Sequence, residues 1–141
     1  MVDKAKLEQE LQRKYLQLQM FKHQLNTLVE EKHNIDSRLS EIRMTMDALE
    51  KIYSVKTGTE IWSPMGSNAF IMSDIKNTKD ILVNIGAGIV IKTTKDHSLE
   101  ILKSRLNEVE AVDTNMQAEI MKYSEEIGKL EPEVQRLAQG L

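Results

Sequence analysis

A chain of 141 residues is about the size of one domain, but 29% charged and only 4% aromatic side chains suit long solvated helices better than a thick core. A net charge of -3 with no run of five lysines or arginines leaves no basic footprint for nucleic acid. The absence of cysteine removes disulfides, zinc–thiolate sites and thiol chemistry, and fits a reducing cytosol.

The first residues, Met1 to Lys6, carry no apolar signal run, and the longest near-apolar stretch, Ile81 to Ile91, is too short to span a bilayer. The expectation is a soluble, cytoplasmic protein without membrane contact. Three segments are expected: a first coiled-coil helix over 1–56, a strand-bearing body over 57–94, and a second coiled-coil helix over 95–141. Together they would make a single domain of class α+β.

With Leu11 as heptad position a, the a positions are Lys4, Leu11, Leu18, Leu25, Lys32, Leu39, Met46 and Tyr53. The d positions are Leu7, Lys14, Phe21, Leu28, Ile35, Ile42 and Leu49. Only the three lysines break this apolar seam, and a pattern held in phase over about six heptads argues for a coiled coil. Gly58, after Lys56 and Thr57, offers a stop signal. Tyr15, Leu16 and Met20 lie off the seam near the free end, either as scattered surface apolars or as a patch continuous with Leu11 and Leu18.

From Thr57 to Thr94 the apolar period becomes that of strands, punctuated by Gly, Pro and Asn. One hairpin is expected to turn at Met65-Gly66-Ser67, with Pro64 at an edge or a strand end. A second is expected to turn at Gly86-Ala87-Gly88. Apolar residues occupy both strand faces: Ile61, Trp62, Phe70, Ile71 and Met72 in the first hairpin, and Ile81, Val83, Ile85, Ile89, Val90 and Ile91 in the second. Two hairpins cannot bury two faces within one thin chain, and open edges invite pairing. These residues are therefore expected to mediate oligomerisation, the strands of several subunits completing a shared β-barrel or sandwich. Gly86-Ala87-Gly88 lacks the third glycine of a dinucleotide loop and is followed by a strand, so no nucleotide is expected there.

Thr94 or Asp96 can cap the second helix. Its seam runs Leu99, Leu102, Leu106, Val109, Asp113, Met116, Ile120, Tyr123, Ile127, Leu130, Val134, Leu137 and Leu141, with Asp113 as its only polar member. Antiparallel pairing of Leu7 with Leu141 would bring Lys32 and Asp113 into adjacent layers. They would then either pair and select the register or each reach out to water. Pro132, four residues after Gly128, predicts a bend or a loosened turn and not a stop, because the seam continues past it.

His23, His33 and His97 have no partner histidine at helical spacing, and no nucleophile motif occurs. No enzyme activity, metal or cofactor is expected.

The middle stretch resembles prefoldin, in its α-type subunits. It carries Ser63-Pro64-Met65-Gly66-Ser67-Asn68-Ala69-Phe70 and Ile81-Leu82-Val83-Asn84-Ile85-Gly86-Ala87-Gly88-Ile89-Val90-Ile91-Lys92. The first segment departs at Ser63 and at Asn68, where an apolar residue and glycine are usual. Asn tolerates positive φ, so the turn should survive. The resemblance implies a heterohexamer of two α-type and four β-type subunits, with joined β-barrels from which coiled coils extend. It also implies capture of unfolded client proteins at the coiled-coil tips and their delivery to a group II chaperonin without ATP. The residues near the free ends that would grip are Leu7, Leu11, Tyr15, Leu16, Met20, Val134, Leu137 and Leu141. The rival reading is a structural coiled-coil spacer or filament subunit that uses its strands only to assemble.

Overall fold

The computed structural model describes residues 3–140. Helix α1 spans Lys4–Lys51 and is followed by a 3-10 turn, Ile52–Ser54. Strands β1 (Glu60–Gly66), β2 (Ala69–Asp74), β3 (Ile81–Gly86) and β4 (Ile89–Thr93) come next, and α2 spans Lys95–Gln139. The strands form two separate antiparallel pairs, β1–β2 and β3–β4. Two compact units divide the chain, one built from 1–38 and 109–141, the other from 39–108.

No glycine or proline interrupts residues 3–57, and the run is dominated by Leu, Glu, Lys and Gln, which lose little side-chain freedom in a helix. Asp3 starts α1: its carboxylate accepts the Ala5 amide hydrogen at 3.1 Å and its carbonyl accepts that of Leu7. The helix ends well before Gly58. At Lys51 the backbone tightens into the 3-10 turn, the Ser54 hydroxyl donates to the Lys51 carbonyl at 2.6 Å, and Val55 leaves in an extended conformation. Gly58, at φ +92°, instead opens the first hairpin, donating its amide to the Ile75 carbonyl. Tyr53 thus falls off the end of the seam; its ring lies exposed under the Lys95 ammonium, 4.7 Å from the centroid.

Thr94 caps α2. Its hydroxyl accepts the His97 amide at 3.2 Å and its carbonyl accepts that of Ser98, with Asp96 in the first turn. Ser98 is fully buried, and its hydroxyl is satisfied by the Thr94 carbonyl at 2.7 Å. The helix continues through Pro132 to Gln139, so the proline does not end it.

Both hairpins are built to one plan. Each has a one-residue irregularity just before a positive-φ glycine, Gly66 or Gly86, followed by two left-handed residues. In the first hairpin the left-handed pair is Ser67-Asn68, which moves the turn one step beyond Met65-Gly66-Ser67; in the second it is Ala87-Gly88. Two successive positive φ values match the right-handed twist of the flanking strands. Pro64 sits opposite Phe70 in β1, a strand with a single neighbour, where its missing amide hydrogen is tolerated.

Within the 39–108 unit the two hairpins differ in cover. Val83 is buried, and Ile81 and Ile91 are half-buried. Ile81 and Val83 share a groove with Ile42 and Leu49 of α1 and Leu102 of α2. One face of the second hairpin is therefore covered by the chain's own helices. The first hairpin has no such cover: Trp62 is 65% and Phe70 56% exposed, and Ile61, Ile71 and Met72 are exposed as well. On the outer face of the second hairpin Leu82 and Val90 are exposed, as are Ile85 and Ile89 near its turn.

A candidate client-binding tip on the paired helices

In the unit formed by 1–38 and 109–141 the helices pack antiparallel along their seams. Leu18 and Leu130 are buried, as is Val109, and every seam position from Leu7 to Ile35 and from Asp113 to Leu137 is at least half-buried. Phe21 and Tyr123 meet edge-on with centroids 5.6 Å apart. Lys14, a seam lysine, donates to Glu133 Oε2 at 2.7 Å, and Lys22 pairs with Glu131 at 3.1 Å.

The polar layer is a triad. Lys32 Nζ lies 2.9 Å from Asp36 Oδ2 and 3.2 Å from Asp113 Oδ1. Asp113 Oδ1 is buried and has the ion-pair contact without accepting a hydrogen bond from the described residues. Lys32 and Asp113 do approach across the helices, but Lys32 also turns along its own helix to Asp36, a partner the heptad pattern does not indicate. Replacing Lys32 and Asp113 together by leucine is expected to raise the thermal midpoint of the paired helices and to loosen their register. Cysteine cross-linking across the seam reads that register; a single unchanged cross-linking pattern in the double variant would show that the triad does not set it.

Both cross-helix lysines are held above the ordinary ammonium value, Lys14 first by its hydrogen bond to Glu133 and Lys32 first by that to Asp36. The same hydrogen bonds hold the Glu133 and Asp36 carboxylates below their ordinary values. A lowered carboxylate contributes stability above its unfolded value, 4.5 for Glu133 and 3.8 for Asp36, and loses it as pH falls through the depressed folded value. A raised lysine contributes below 10.5 and loses that contribution as pH rises through the elevated folded value. Helix melting followed by circular dichroism should therefore show a plateau between these limits and a fall on either side. The acid fall should shrink in 1 M salt, because the Glu133 and Asp36 side chains are open to water.

At the chain-terminal ends of the helices, Glu8, Leu11, Gln12 and Tyr15 of α1 face Val134 and Ala138 of α2 across an open groove of about 490 Å³. Leu11 and Val134 form its floor at half burial, and Tyr15 walls it at 51% exposure. Of the other proposed gripping residues, Leu7 and Leu137 are half-buried in the seam. Leu16 and Met20, 56% and 66% exposed, are one helical turn apart on the outward side of α1 and do not join the groove. Tyr15 is thus continuous with Leu11, one turn away, whereas Leu16 and Met20 form a separate outward pair. Leu141 lies outside the described residues. Glu8, Gln12 and Ala138 also line the groove, each one turn from Leu11, Tyr15 or Val134; Glu8 flanks the seam as Tyr15 does, whereas Gln12 at position b carries no such signal in the heptad pattern.

Among the described residues no cluster of three or more His, Cys, Asp or Glu side chains could hold a metal ion, and no helix is long and apolar enough to cross a membrane. A family profile described as Prefoldin subunit matches residues 21–140. The chain belongs to the prefoldin family. That is a family of chaperone subunits and not of enzymes. The prefoldin subunit alpha of Methanococcus vannielii is 27% identical over 135 residues, covering 96% of this chain and 90% of that protein. The prefoldin subunit alpha of Archaeoglobus fulgidus is 26% identical over 127 residues, covering 90% and 93%. Among solved structures, the filamentous prefoldin from Methanocaldococcus jannaschii aligns with a TM-score of 0.69 at 16% identity, over 82% of this chain and 96% of that one. The prefoldin beta subunit from Thermococcus strain KS-1 aligns at 0.58 and 20% identity, over 90% of each chain. At these identities both likenesses concern the fold alone. The family profile begins at Phe21, whereas the alignment with the Methanococcus vannielii subunit, over 96% of the chain, takes in the α1 wall of the groove, Glu8 to Tyr15.

Proposed function

We propose that this chain is the α-type subunit of a cytoplasmic, ATP-independent holdase, a heterohexamer with two α-type and four β-type subunits. Its paired helices capture unfolded protein at their tips and pass it to a group II chaperonin. The apolar groove between Leu11, Tyr15, Val134 and Ala138 is the observation that carries client capture, because it leaves apolar surface open to water where the helices end. The uncovered strand faces, with Trp62, Phe70 and Met72 foremost, support assembly through a shared barrel. A two-stranded hairpin exposed on both faces is marginal alone, and neighbouring subunits would supply its missing cover.

Removing residues 1–20 together with 129–141 is expected to leave the hexamer with β-type partners intact by native mass spectrometry. The same cut should abolish suppression of light scattering by a denatured client. A tip-cut hexamer that still suppresses aggregation would place the gripping surface elsewhere.

The likeness to a filamentous prefoldin supports a second reading, an assembly or filament subunit without client binding. Electron microscopy of the chain alone, paired with the same scattering measurement, separates the two: filaments without aggregation suppression favour the second.

A further inference from the structure

Lys14 sits between Glu133 at 2.7 Å and Glu10 at 3.5 Å, and Lys22 pairs with Glu131. Glu8 lines the apolar groove with Leu11, Tyr15, Val134 and Ala138, and it makes no ion pair among the described residues. Its carboxylate is the one formal charge on that lining; Gln12 and the Tyr15 hydroxyl supply only neutral polar atoms. An open cleft with an apolar floor and a single anion on its lining favours an apolar side chain entering next to a cation and disfavours one entering next to an anion.

We infer that the groove selects among unfolded segments by charge: it takes an extended stretch whose apolar residue is flanked by lysine or arginine, and Glu8 is the residue that discriminates. The inference rests on the tip reading above and deepens it.

The test uses full-length chain assembled with β-type partners, and three fluorescein-labelled Gly/Ser peptides with a central Phe-Leu flanked by lysine, serine or glutamate. At low salt the lysine-flanked peptide should bind about fivefold more tightly than the glutamate-flanked one by anisotropy, the scale of a water-exposed charge pair replaced by a repulsion. The ratio should fall to near one in Glu8→Gln, invert in Glu8→Lys, and persist in Glu119→Gln, a remote control for bulk charge. It should also shrink as salt is added. Ala138→Gln, which fills the groove from α2 without touching a seam position, should weaken all three peptides. If the peptides bind and Ala138→Gln weakens them, but Glu8→Gln leaves the ratio unchanged, the charge inference falls and the tip reading stands. If no peptide binds, or Ala138→Gln changes nothing, the tip reading falls and takes the inference with it.

Discussion

Leu102→Ala is expected to lower the stability of the chain by about 3 kcal/mol, in the range found when a buried leucine is truncated to leave a partly collapsed cavity. Leu102 is 7% exposed and shares its groove with Ile42 and Leu49 of α1 and Ile81 and Val83 of β3. It is a buried α2 side chain on the groove between the second hairpin and the helices of the same unit. The loss should be read from the urea midpoint at several protein concentrations, because an oligomer's apparent stability moves with concentration. Leu82→Ser is the comparison. Leu82 borders the same groove but is 70% exposed and alternates to the strand face opposite Val83, so within one chain its replacement should change stability by no more than about 0.5 kcal/mol. If the proposed assembly covers this face, the replacement should shift the dissociation midpoint, because the apolar cover for Leu82 would then come from a neighbour. If Leu82→Ser left association unchanged while Leu102→Ala dissociated the complex, the outer face would not be an interface.

The contrast between those two leucines marks how far the sequence could be read. Period-two alternation in β3 places Leu82 and Val83 on opposite faces, and that much is plain from the residues. Which face the helices cover depends on where α1 stops and how the chain enters the strands, and local pattern does not carry that. Gly58 looked like the helix stop because glycine commonly follows a helix. The stop came earlier, through a 3-10 turn whose Ser54 takes the last helical carbonyl, a contact made by a residue with no strong breaking tendency. The seams were legible because a period near 3.5 sustained over many turns admits few alternatives. The triad around Lys32 was half legible: the seam put Lys32 and Asp113 in adjacent layers, while Asp36 entered through the helix's own one-turn spacing. At the tip, being apolar and off the seam was not enough to define a site. Tyr15 reaches the groove because it flanks the seam, whereas Leu16, the next residue, points away from it.

That division of the tip gives the second large effect. Tyr15→Ser combined with Ala138→Gln should lower suppression of client aggregation about tenfold at matched hexamer concentration, the scale expected when an aromatic wall is lost and its pocket filled. Neither residue is a seam position, so helicity and oligomer size should stay as in the parent. Leu16→Ser combined with Met20→Ser removes as much exposed apolar surface from the outward side of α1, yet should lower suppression less than twofold. If capture rested on general stickiness, the two double variants would lose activity in proportion to apolar area and the outward pair would weaken it at least as much. If it rests on the groove, area is a poor guide and position decides, because an unfolded segment held between two helices gives up more of its apolar surface to the protein than one resting on a single convex face. Equal losses from both double variants would therefore return the gripping surface to the whole tip and remove the groove from the mechanism.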